Sequence, residues 1–364
     1  MTDRYAPLRQ VARDLDVEAV ALVPGATFTR VMGQSFGTNE RPLVVIVPVD
    51  GAPAAIVPQL ELQSWALTGF EGEVFDWRDQ TGYTGAFEAL ARAMPLRSLA
   101  VEGQVMRVFV HHALARAHPG LRLVDAETQI AGLRLHKTEE EVAALLRANE
   151  ISEAALGEVL DGVRIGQTEA EIRARLIAAL FAHGAEGNAF GPIVLAADNS
   201  ARAHGHARAD YALQDGDALL VDFGAVWGGL NADITRTFFV GHATDEAREV
   251  YDLVRRANAV GHEVTKAGAT AHDVDDAVMQ VLEASPYADH IGSKTGHGLG
   301  RDVHEAPYIM RGNHQVLEPG MVFTNEPSLL IAGRFGVRIE DDLLVTEGGN
   351  RSLTSFPRDL RVVG

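Results

Sequence analysis

The chain has 364 residues, 46% of them hydrophobic and 6% aromatic, with no cysteine and a formal net charge of −18. That length suggests about two domains, each able to bury a core without disulfides. Without thiols there is no cysteine nucleophile and no Cys₄ zinc site, so any metal must be held by His, Asp and Glu. Acidity, with the basic residues scattered, argues against nucleic acid and anionic membranes as partners. The N-terminus has no signal-peptide h-region, and no apolar run approaches about 18 residues, so a soluble, cytoplasmic protein is expected.

In chain order, residues 5–18 read as a helix with Leu8, Val11, Ala12 and Leu15 on one face. Val20 to Val23 is a short strand that stops at Pro24-Gly25. A hairpin is expected from Leu43–Val49 to Ala54–Val57, turned at Asp50-Gly51. Helices follow over 61–67, 85–93 and 105–118, with strands at 99–102 and 121–125. This alternation predicts a small α/β domain over residues 1–128 and places a second domain over 129–364.

The second domain opens with Thr138-Glu-Glu-Glu141, a helix start with acids in its first turn. That helix contains Arg147-Ala-Asn149, and Gly166-Gln-Thr168 introduces the next one. The order recurs. A helix from Asp245 contains Arg256-Ala-Asn258, and Gly268-Ala-Thr270 introduces its successor. In each half the helix pair precedes hairpins, which predicts an internal duplication. The expected fold is α+β, with helices covering a curved, mainly antiparallel sheet.

The first of these hairpins carries acids. Ala218 to Phe223 enters, Gly228-Gly229 turns, and Ile234 to Phe238 leaves. In such a hairpin Asp222 and Asp233 are expected to face each other across the ladder. Two opposed buried carboxylates require a compensating cation. For these two residues alone, a turn-initiating Asp222 and a solvated Asp233 serve equally well. A second hairpin runs from Phe323-Thr-Asn-Glu326 to Gly336-Val-Arg-Ile-Glu340 and places Glu326 opposite Glu340. Between the hairpins, Thr295-Gly-His-Gly-Leu-Gly300 leaves His297 on a glycine-rich loop.

The candidate metal set is therefore Asp222, Asp233, His297, Glu326 and Glu340. Four carboxylates and one imidazole exceed the needs of one divalent ion and suit two ions about 3.5–4 Å apart. An imidazole beside hard oxygens favours manganese, cobalt or zinc.

Val221-Asp-Phe-Gly224, Asn231-Ala-Asp-Ile-Thr-Arg-Thr237, Gly296-His-Gly-Leu-Gly-Arg-Asp-Val-His-Glu-Ala-Pro307, Asn325-Glu-Pro327 and Gly336-Val-Arg-Ile-Glu-Asp341 together resemble the pita-bread metallopeptidases. Within them the chain is most similar to prolidase (Xaa-Pro dipeptidase) and aminopeptidase P, with an N-terminal domain like that of creatinase. The resemblance implies that Asp222 binds one metal, Asp233 and Glu340 bridge two, and His297 and Glu326 bind the other. It implies that a hydroxide held between the ions attacks an Xaa-Pro bond and that Glu326 carries the proton. His204, in Asn199-Ser-Ala-Arg-Ala-His-Gly205, and His304 match segments that bind substrate and stabilise the oxyanion.

Arg338 lies two residues before Glu340 and shares its face of the strand, where it would orient Glu340 or meet a substrate carboxylate; Arg334 is a weaker candidate. His206, His242 and His290 read as ordinary histidines. The resemblance also implies a homodimer. Aminopeptidase P acting on Xaa-Pro-Yaa peptides is the nearest alternative, and a metal-free binding protein would be expected to have lost a ligand. Glu326-Pro-Ser-Leu-Leu330, Asn325 and Ala203 depart from the usual pattern and bear on the shape of the substrate pocket.

Overall fold

The computed structural model describes residues 3–37 and 39–364 and divides into two compact units, Met1–Arg134 and Leu135–Gly364. No helix among the described residues is long and apolar enough to cross a membrane.

The first unit is built on a six-stranded mixed sheet. In spatial order its strands are Glu73–Trp77, Ala54–Pro58, Val44–Pro48, Ala19–Leu22, Ser98–Val101 and Arg122–Asp125. The inner strands are buried along their whole length, which is why they read as unbroken apolar runs. Alternate side chains feed opposite cores. Val20, Leu22, Val45 and Val47 pack with the helix Ala6–Asp14, whereas Ala21, Val44 and Ile46 pack with Thr84–Ala93 and Val108–Ala117.

Three elements of this unit are additional to those expected from sequence. The edge strand Glu73–Trp77 is mostly exposed or half-buried, so it lacks an apolar run. The helices Ala26–Met32 and Glu127–Gly132 are too short to show a clear period.

The second unit carries two helix pairs, Glu139–Leu160 with Glu169–Ala182 and Asp245–Val264 with Ala271–Glu283. Thr168 and Thr270 each cap the second helix of a pair through a reciprocal box, Thr168 with Glu171 and Thr270 with Asp273. Each also makes a single antiparallel bridge, Thr168 to Ala212 and Thr270 to Val316. The two matching asparagines do matching work: Asn149 Nδ2 donates to Asp342 Oδ2 at 2.8 Å, and Asn258 Nδ2 donates to Asp341 Oδ2 at 3.0 Å.

Two sheets hold the site. One orders Val362–Val363, Ile234–Val240, Ala218–Phe223 and Ile193–Ala196; the other orders Glu305–Ile309, Gly296–Gly298, Val322–Asn325, Asp341–Thr346 and Gly349–Ser352. All pairings within them are antiparallel except that of Val362–Val363.

The register of the first hairpin corrects the expectation. Asp222 pairs with Thr235, not Asp233, and Asp233 lies just before the strand Ile234–Val240. The offset is two residues, so both acids keep the same face and sit diagonally. Gly224 allows the close approach there, because a Cβ would lie 1.7 Å from the Ala232 carbonyl oxygen. In the second hairpin Asn325 pairs with Asp341 and Ser328 with Arg338. Glu326 and Glu340 therefore occupy the gap between two ladders in one continuous register.

Candidate metal centre

The two sheets bring both hairpins and the glycine-rich loop to one cavity of about 830 Å³. Asp222, Asp233, His297, Glu326 and Glu340 all line it, as do His204, His304 and Arg338. Asp233, His297 and Glu340 offer donor atoms within 4.8 Å of one another. His297 Nε2 lies 3.3 Å from Glu326 Oε1 and 3.7 Å from Asp233 Oδ2.

The imidazole is prepared as a ligand. Burial, with the charges of His304 and Lys294, pushes His297 down to about 3, so the ring is neutral. Its Nδ1 sits 3.2 Å from the Gly298 carbonyl oxygen. A carbonyl only accepts, so Nδ1 carries the proton and the lone pair of Nε2 faces the acids. Gly298 is required at this point, because a Cβ would lie 2.1 Å from the Ala306 carbonyl oxygen.

The acids crowd one another. Burial, then Glu340 and Asp222, holds Asp233 well above the usual carboxylate range. Burial, then Glu326 and Asp222, does the same to Glu340. Glu326 is pushed up to about 7 by burial, with Arg338 opposing and Asp222 adding to the rise. Asp222 is raised by burial and held back by Arg338. Buried, mutually repelling carboxylates around a neutral imidazole nitrogen fit divalent cations, because bound cations supply the compensation that the chain itself does not.

A second layer fixes these groups. Thr235 Oγ1 donates to Glu340 Oε2 at 2.6 Å, and Arg338 Nε donates to Thr235 Oγ1 at 3.1 Å. Arg338 Nη2 donates to Asp222 Oδ2. One buried guanidinium thus links the two hairpins. Asp342 Oδ2 accepts the Asp233 backbone N–H at 3.2 Å. Arg236, almost fully buried, donates to the Glu340 carbonyl oxygen and to Asp341 Oδ1. Of these supporting roles only that of Arg338 toward Glu340 was drawn from the sequence. The alternation of Thr235 and Arg236 on a strand was the available signal for the pair.

His304 and His204 are exposed on the cavity rim. The His304 ring lies 3.8 Å from that of His297, tilted by 35°. Arg334 is elsewhere: it pairs with Glu246 on the surface. His242 pairs with Asp215, an ordinary surface contact.

Two family models match the chain, metallopeptidase family M24 over residues 143–347 and the creatinase/prolidase N-terminal domain over residues 4–136. A probable dipeptidase, PepE, of Mycobacterium tuberculosis is 33% identical, across 99% of this chain and 96% of that one. A Xaa-Pro dipeptidase of Lactobacillus helveticus is 30% identical, across 98% of each. The crystal structure of a recombinant prolidase from Thermococcus sibiricus superposes with a TM-score of 0.93 at 30% identity, over the whole of both chains. This chain belongs to metallopeptidase family M24 and carries that family's catalytic domain behind a creatinase/prolidase N-terminal domain.

Proposed function

We propose that the protein is a metal-dependent exopeptidase that hydrolyses Xaa-Pro dipeptides with two divalent ions, manganese, cobalt or zinc. One observation carries the reading: four buried donors, the half-buried Glu326 and two rim histidines share a single cavity in the catalytic unit. The relatives named as dipeptidases support the substrate class. Two ions per subunit and a homodimer belong to the same reading, on the strength of the family resemblance.

Asp222, Asp233, His297, Glu326 and Glu340 would hold the ions, with Asp233 and Glu340 shared between them. When bound, such ions polarise the scissile carbonyl and make water a nucleophile near neutral pH. In this reading Glu326 takes the proton of the attacking water and returns it to the leaving proline nitrogen. In this reading His304, stacked on His297, and His204 stabilise the charge that the carbonyl oxygen gains. Arg338 keeps Asp222 and, through Thr235, Glu340 in place. Phe190, Ile193, Val303 and Leu330 give the cavity an apolar wall, which supports a preference for apolar Xaa.

The test compares kcat/KM for Ala-Pro and Met-Pro with the same peptides extended by one residue, after reconstitution with each metal. The expected result is faster cleavage of the dipeptides. A tenfold advantage for the longer peptides would place the protein with the Xaa-Pro aminopeptidases instead. The rim histidines give a second expectation. His304→Ala keeps normal metal content by elemental analysis and loses about 10²-fold in kcat, the scale for removing one group that stabilises the transition state. Turnover equal to wild type would make His304 a surface residue.

A further inference from the structure

A dipeptide brings its own carboxylate to within one residue of the bond being cut, about 3.8 Å of chain. The cavity floor already holds Asp222, Asp233, Glu326 and Glu340. The substrate carboxylate therefore needs a cation that those acids have not taken. Three permanent cations line the cavity: Arg173, Lys294 and Arg338.

Arg338 is buried, with Nη2 on Asp222 and Nε on Thr235. Arg173 gives its Nε to the Pro192 carbonyl oxygen at 2.8 Å. The Lys294 ammonium makes no hydrogen bond or ion pair with a described residue, and stands 5.9 Å from the centre of the Tyr308 ring.

The backbone fixes where Lys294 stands. Its neighbour Thr295 receives the Glu326 N–H on its carbonyl oxygen at 2.7 Å and donates its own N–H to the buried Asp275 at 2.7 Å. On the other side, Gly292 N donates to the Ser328 carbonyl oxygen at 3.2 Å. Lys294 is thus held between two attachments to the segment from Glu326 to Ser328. Its charge reaches Glu326, His297 and His304.

We propose that Lys294 is the carboxylate anchor: its ammonium receives the C-terminal carboxylate of the dipeptide and so determines the length of substrate this cavity accepts. The inference rests on the Xaa-Pro dipeptidase reading. Positive charge at the substrate's other end needs no such partner, because its α-amino group meets the acids themselves. A peptide extended by one residue carries its carboxylate past Lys294 and forfeits the contact.

The test measures kcat and KM for Ala-Pro, Ala-Pro-amide and Ala-Pro-Ala with wild type, Lys294→Met, Lys294→Arg and Arg173→Met, each loaded with metal and checked by elemental analysis. Wild type is expected to prefer Ala-Pro to its amide. In Lys294→Met the KM for Ala-Pro rises about tenfold or more, the scale of one charge-assisted hydrogen bond, and the preference over the amide disappears. Lys294→Arg restores the preference, and Arg173→Met keeps it. An unaltered preference in Lys294→Met, an equal loss on Ala-Pro and its amide, or a preference erased by Arg173→Met each overturns the anchor while the dipeptidase reading stands. A wild type that cleaves Ala-Pro-Ala ten times better than Ala-Pro overturns both.

Discussion

Asp233→Ala and Glu340→Ala are each expected to abolish hydrolysis and to purify with background metal content, while the metal-free variants melt no lower than metal-free wild type. The first two effects follow from position. Asp233 feels Glu340, Asp222, Asp342 and Glu326 at once, so it lies at the centre of the acidic cluster. In the proposed two-ion arrangement a carboxylate there would serve both ions, and its loss would disrupt both sites. The deficit should exceed the roughly 10–100-fold that outer-shell partners produce. Thr235→Val supplies that comparison, since it removes the 2.6 Å hydrogen bond to Glu340 and the one received from Arg338 Nε but no candidate ligand.

The third effect has the opposite sign from an ordinary buried substitution. Without metal, removing one of several mutually repelling acids relieves repulsion and desolvation. A variant that lost metal and also melted well below the metal-free wild type would show that the residue supports the fold, not the ions. Full activity in protein shown by elemental analysis to be metal-free would end the metallopeptidase mechanism for this chain.

What the sequence made legible was set by how strongly period and turn chemistry constrain each element. The threonine caps at 168 and 270 were visible as repeated Gly-x-Thr punctuation, and both structures are reciprocal boxes. The second hairpin was read in its true register because one tight turn at Gly333 fixes the count. The first was read two residues out. Trp227 pairs with Leu230 around Gly228-Gly229, and the long ladder keeps that register through Gly224, so a count from the turn itself sets Thr235, two residues beyond Asp233, opposite Asp222. Because the slip was even, the facing acids stayed on one side and the candidate set survived the error.

Glu340-Asp341-Asp342 shows where sequence reasoning stops. Three adjacent acids look alike along the chain, yet they go to three places. Glu340 enters the cavity, Asp341 meets Arg236, His262, Arg358 and Asn258, and Asp342 meets Asn149 and the Asp233 backbone. Those partners lie up to 193 residues away, and Asn149, Asn258 and His262 stand on helices whose own pattern gave no pairing. Lys294 was equally silent, since a lone lysine before a glycine-rich loop reads as a solvated side chain.

Chelated protein is expected to lose thermal stability as the pH rises from about 5 to 8, and added Mn²⁺ is expected to raise the melting temperature more at pH 8 than at pH 5. Asp233 and Glu340 are held well above the ordinary carboxylate value, Glu326 is pushed up to about 7, and Asp342 to about 8 by burial. Unfolded carboxyls titrate near 4. Between those limits the folded chain retains protons that the unfolded chain has released. The stability these groups contribute is complete below about pH 4 and drains away as the pH climbs through the folded values.

Asp341 has the reverse sign. Arg236, His262 and Arg358 overcome its burial and hold it below the usual range, so its contribution is lost only in strong acid, outside this window. Metal competes with the protons on the raised group of acids, so it binds more tightly as they ionise. At a free concentration of about 100 Kd it adds about 2.7 kcal/mol, or roughly 5–10 °C for a unit of this size. Scanning calorimetry of chelated and Mn²⁺-loaded protein across that range reads both effects. A chelated protein that grows more stable toward pH 8, or a metal-induced shift that is the same at both ends, would mean that the acids of the cavity are already compensated by the chain and do not await a cation.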